Sequence, residues 1–77
     1  MQLSIIIPTY NEAENIATLV TYLLQSTTEP IEIIVIDGGS TDDTLNLANK
    51  AGAIAVTSPQ QGRAAQMNYG ASLAKGS

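Results

Sequence analysis

The sequence contains no cysteine and no histidine. Disulfides and thiolate metal sites are therefore excluded, as are a histidine-based catalytic triad and a histidine zinc site, while the redox compartment is left open. Tryptophan and phenylalanine are also missing, so a core has to be assembled from Ile, Leu, Val, Ala and three Tyr. Cations are scarce: three basic residues against seven acidic ones give a net charge of −4. No basic surface exists to neutralise a nucleic-acid backbone, and a nucleic-acid partner is not expected. No apolar run approaches the ~18 residues of a membrane span, and the N-terminus enters a strand pattern without the marks of a leader. The expected location is the cytoplasm, with no membrane segment. What is present is 77 residues with 44% hydrophobic content. That suffices for one small globular domain, of a size that buries only about 60% of its unfolded surface.

The chain is organised around Ile31 to Thr44, where a β-branched run ends in an acid, two glycines and a hydroxyl pair before a helix pattern begins. Ile33 to Ile36 are apolar without alternation, which suits a strand covered on both faces. Gly38 and Gly39 permit positive φ and close approach of a ligand. Ser40, followed three residues later by an acid, predicts a capped helix with Asp42 and Asp43 in its first turn. Upstream, Leu3 to Ile7 reads as a buried strand closed by Pro8. Thr9 to Glu12 is a loop, with Asn11 as helix cap and Glu14 as a partner of the helix dipole. Ile16, Leu19, Val20, Leu23 and Leu24 recur at helical spacing, and the polar stretch Ser26 to Pro30 resets the chain. Downstream, Leu45, Ala48 and Ala51 share a helical face that Gly52 ends. Ala53 to Thr57 reads as a weaker strand, and Arg63 to Lys75 as a third helix after the Ser58 to Gly62 loop. The class is α/β: a partial doubly wound, Rossmann-like parallel sheet of three strands alternating with three helices, in one domain covering residues 1–77.

Three strand-to-helix turns, Pro8 to Glu12, Asp37 to Asp42 and Pro59 to Arg63, then fall on the carboxyl edge of the sheet, where such folds bind ligands. Asp37 has two readings: a turn-forming acid bonded to nearby amides, or an acceptor for a ligand donor. Arg63, beside Gly62 at a helix start, can grip phosphate with side chain and free amides together, or can be an ordinary surface cation. The set supplies an acceptor for a base, a surface for a ribose and a cation for phosphates. Glu14, Asp42 and Asp43 sit in first helical turns and read as dipole partners, so no metal is expected on them. The phosphate-loop pattern and Gly-x-Gly-x-x-Gly are both absent, which argues against nucleotide hydrolases and nicotinamide enzymes.

The runs Leu3 to Glu12, Ile31 to Thr44 and Gly62 to Gly76 together resemble the N-terminal nucleotide-binding half of family 2 glycosyltransferases of the A-type fold. The specific pair is Pro8-Thr9-Tyr10-Asn11-Glu12 and Val35-Ile36-Asp37-Gly38-Gly39-Ser40-Thr41-Asp42. The resemblance implies a nucleoside-diphosphate sugar, a UDP-sugar above all, as partner. Pro8, Thr9, Tyr10, Glu12, Asp37 and Gly38 would lie at base and ribose, and Gly62 and Arg63 near the diphosphate. Two departures stand out. Met67 occupies the place of the family's usual Arg in the third helix, with Arg63 in a Gly-Arg-Ala context instead. The Asp-x-Asp motif that binds Mn or Mg in the family lies beyond a fourth strand that this sequence does not include. The expectation is that the full enzyme uses Mn or Mg, while this chain alone binds none, contains no catalytic residue and transfers no sugar. Two other readings stay open: a free-standing nucleotide-binding module without catalysis, and a structural fragment that self-associates. In the family's strand order the first strand would be left at an edge, and self-association through it is expected.

Overall fold

A computed structural model of the chain describes residues 3–74. The elements are β1 (Leu3–Thr9), α1 (Ile16–Gln25), β2 (Ile31–Asp37), α2 (Thr44–Ala51), β3 (Ile54–Thr57) and α3 (Arg63–Leu73). All three strands are parallel in the order β1-β2-β3. β1 runs from Leu3 opposite Ile31 to Thr9 opposite Asp37, and Asp37 in turn lies opposite Thr57 of β3. The carboxyl ends of all three strands are thus level, as the α/β expectation required.

Because side chains alternate along a strand, β2 feeds two cores. Ile33 and Val35 join Ile16 and Val20 of α1, Ala48 of α2, and Ala53 and Ala55 beside them. Ile34 and Ile36 point to the opposite face, under α3. There the Ala- and Gly-rich composition of α3 lets its backbone come close to the sheet. A Cβ on Gly70 would stand 2.5 Å from Ile6 Cγ2 and 3.0 Å from Ile36 Cγ1. Helices therefore cover both faces, the doubly wound arrangement. Among the described residues no helix is long and apolar enough to cross a membrane.

Several boundaries differ from the sequence expectation, each for a physical reason. Pro8 lies inside β1 rather than closing it. Leu3 N–H donates to Pro30 O (3.4 Å) and Thr9 O accepts Gly38 N–H (2.9 Å), so odd-numbered residues of β1 face β2. Pro8 then faces outward, where the missing N–H leaves no gap in the ladder. Asn11 does not cap α1: it adopts φ 54°, and α1 begins at Ile16 after a turn in which Asn15 and Ile16 N–H both donate to Glu12 O. Ser40 does not cap α2 either, since the helix begins at Thr44. Its hydroxyl is held by Asp37 instead. Of the five residues expected on the apolar face of α1, Ile16 and Val20 are buried and Leu23 packs beside them, whereas Leu19 and Leu24 remain 41% and 38% exposed. Gly52 does end α2, in the left-handed region at φ 113°. The third strand begins at Ile54 rather than Ala53. The third helix ends at Leu73, and Lys75 lies outside the described residues.

Candidate functional site

Asp37 is 3% exposed and is the hub of the carboxyl edge. Oδ1 accepts the Thr9 hydroxyl (3.1 Å) and the Ser40 hydroxyl. Oδ2 accepts Gly39 N–H (3.0 Å) and Ser40 N–H (2.7 Å). A carboxylate has about four lone-pair positions, and here the chain's own donors occupy them all. Gly39 is needed in this turn because its φ is 94°, a value at which other residues are strained.

The first two loops are then fastened to each other. Asn11 N–H donates to Ser40 Oγ (2.7 Å), and Asn11 Oδ1 accepts Thr41 N–H (2.9 Å). Glu12 N–H donates to Thr44 Oγ1 (2.8 Å), and Ala13 N–H to Asp42 Oδ2 (3.2 Å). The positive φ of Asn11 belongs to this contact, since Asn tolerates the left-handed region better than most residues. Asp42 also accepts Thr44 N–H (3.0 Å) and the Thr44 hydroxyl. The Thr44 hydroxyl holds the Asp42 carboxyl below its usual range, outweighing the opposing effect of desolvation, with smaller help from the backbone donors of Thr44 and Ala13. Asp42 thus ties the two loops together; because α1 begins at Ile16 and α2 at Thr44, Glu14, Asp42 and Asp43 precede the helices and do not lie in their first turns as expected.

The third loop comes in through α3. Gly62 precedes the helix at φ 113°, and its carbonyl accepts Gln66 N–H (2.9 Å). Gln66 reaches under the other two loops, donating from Nε2 to Thr9 O (3.0 Å) and Ile36 O (2.8 Å). Sequence reasoning passed over Gln66 and Thr44. A Gln in a helix of mostly small residues, three residues after a candidate phosphate ligand, was the available signal for the first. A Thr two residues after Asp42 gave no such signal.

Two adjoining clefts open over this framework. One, of about 250 Å³, is lined by Pro8, Thr9, Tyr10, Glu12, Arg63 and Gln66. The other, of about 280 Å³, is lined by Tyr10, Gly38, Gln61, Gly62 and Gln66. Seven of the eight residues expected at a nucleotide, namely Pro8, Thr9, Tyr10, Glu12, Gly38, Gly62 and Arg63, line one or the other. Asp37 lines neither and lies beneath them. A larger hollow of about 420 Å³ runs over α1 at Ala17, Thr18, Thr21, Tyr22 and Gln25 and brings no charged group to a ligand. Among the described residues no group of three or more acidic side chains could hold a metal ion.

The fold and its carboxyl-edge clefts define a Rossmann-like, doubly wound α/β chain. The chain belongs to glycosyl transferase family 2, whose model matches residues 4–77. It is 36% identical over 74 residues to the uncharacterized glycosyltransferase YibD of Escherichia coli K12, covering 96% of this chain and 21% of that protein. It is 44% identical over 59 residues to glycosyltransferase AglJ of Haloferax volcanii, covering 77% of this chain and 19% of that one. Its fold matches glucosyl-3-phosphoglycerate synthase from Mycobacterium tuberculosis, solved with Mg2+ and UDP, at a TM-score of 0.84 and 26% identity, covering 97% of this chain and 30% of that one. The chain spans about a fifth of the length of the curated relatives it matches.

Proposed function

We propose that residues 1–77 form the N-terminal, donor-nucleotide-binding part of a glycosyltransferase that moves a sugar from a nucleoside-diphosphate donor, a UDP-sugar, to an acceptor. The observation that carries this is the convergence of the three loops on clefts that have Tyr10 and backbone on one side and Arg63 at a helix start on the other. Pro8, Thr9, Tyr10, Glu12 and Gly38 surround base and ribose, while Gly62 and Arg63 meet the diphosphate. Asp37 acts from beneath by fixing Thr9, Gly39 and Ser40. The structural relative bound to UDP supports the same class of ligand.

In transfer, the sugar's anomeric carbon is displaced from the diphosphate, and charge builds on the leaving oxygens. Arg63 and the first amides of α3 stabilise that charge by position. The divalent metal seen with UDP in the relative would do the same. Removing the cation is the test. Arg63→Ala should weaken UDP binding about tenfold, in keeping with a charge-assisted hydrogen bond, and leave uridine binding nearly unchanged. Equal losses for both ligands, or none, would remove Arg63 from the diphosphate.

For the 77-residue chain by itself we further propose pairing of two copies through β1. The outer edge of β3 is covered at Ala55, whose N–H donates to Asn49 Oδ1 (3.1 Å) and whose carbonyl accepts Asn49 Nδ2 (3.4 Å). Among the described residues, no side chain is seen to cover the outward edge of β1 at Ile6 in this way.

A further inference from the structure

We propose that Gln66 is the residue that selects the nucleobase: its side-chain oxygen accepts the imide N–H of a uracil-type ring. The inference rests on the donor-site reading above and names the contact on which base choice within that site depends. Gln66 is 6% exposed, and both hydrogens of its Nε2 are committed to the carbonyls of Thr9 and Ile36. Those two acceptors fix the amide's direction, because turning it over would set its oxygen against two carbonyl oxygens. Oε1 therefore points one way only. It accepts no hydrogen bond from the chain, and no buried side-chain oxygen or nitrogen among the described residues is left unpartnered, so this oxygen reaches the cleft surface.

Its position in the cleft agrees. Gln66 and Tyr10 are the two residues common to both clefts. Oε1 also lies over Gly38, where a Cβ would come within 2.9 Å of it. A side chain at position 38 would displace the amide. Asp37, one residue earlier, has no vacant lone pair to offer. An acceptor of fixed direction distinguishes pyrimidines sharply. Uracil and thymine carry an N–H at ring position three, whereas cytosine presents a lone pair there that would face Oε1. A site built around a directed polar atom rejects the wrong partner by leaving groups unpaired.

The test is a calorimetric or NMR titration of the 77-residue chain with UDP, CDP and UDP methylated at N3. The unmodified protein should bind UDP about tenfold or more tightly than either other nucleotide, as expected for one hydrogen bond lost in a water-accessible cleft. Gln66→Met, checked for folding by circular dichroism, should bind all three alike. A residue that only supports the loops would lower all three affinities together and preserve their ratios, which would overturn the proposal. If Gln66→Met does not fold, the methylated nucleotide decides on the unmodified protein. Tenfold weaker binding upholds the contact, and equal binding refutes it while leaving the donor site standing. Failure to bind any of the three would reject the donor reading itself, and this inference with it.

Discussion

Thr44 has no exposed surface, and its hydroxyl accepts the Glu12 N–H and donates to Asp42. Thr44→Val keeps the shape and removes both bonds, leaving the Glu12 amide, in a part-buried position, without its acceptor. The expected loss is about 1–3 kcal/mol in denaturant unfolding, and an unchanged midpoint would show that water replaces the hydroxyl. Asp42 adds a pH dependence. Its folded-state pKa is depressed, so its contribution is present at neutral pH, above the unfolded value, and is lost as pH falls through about 4 and below. Thermal melting of Asp42→Asn should differ from the unmodified chain most above pH 5, and the difference should shrink as the pH falls below 4. A constant difference would contradict the assignment. Asp37 shows how far a single residue can be read from sequence. Its place after an apolar strand was legible, because β-branched runs ending in Asp-Gly-Gly have few alternatives. Its four donors were not, since three of them depend on how the turn closes and one comes from β1, 28 residues away.

At the scale of elements, periodicity found all three strands and all three helices but misplaced two helix starts. Local capping signals at Asn11 and Ser40 were genuine hydrogen-bonding residues recruited for another purpose: both join the first loop to the second. Such pairings lie about 30 residues apart in sequence and leave no local pattern. The exposure of Leu19 likewise depends on what surrounds α1, where Leu19 borders a hollow with Ile7, Pro8 and Ile16. The two edges of the sheet give an element-scale prediction. Among the described residues, β1 offers Ile6 to the outside beside Pro8, a natural block, whereas Asn49 screens β3. Sedimentation at micromolar concentration should show self-association that Ile6→Lys weakens; a monomer unaffected by the substitution would mean that β1 is protected in another way.

The whole molecule is three short parallel strands with helices on both faces, and every group proposed to touch the nucleotide lies at one end of it. That placement was legible in the sequence once the alternation of strand and helix was seen, because parallel connectivity sends all βα loops to the same edge. Since no acidic cluster accompanies them among the described residues, adding Mn should change UDP affinity little, and the chain alone should transfer no sugar. A strong Mn effect would locate metal ligands among Glu12, Asp42 and Asp43 after all. The most direct test of the donor site is residue-resolved NMR of the 77-residue chain titrated with UDP. Amide shifts should concentrate at Thr9 to Glu12, Gly38 to Ser40 and Gly62 to Gln66. Shifts confined to the α1 hollow around Thr18 and Tyr22, or none at saturating UDP, would contradict a nucleotide site at the carboxyl edge.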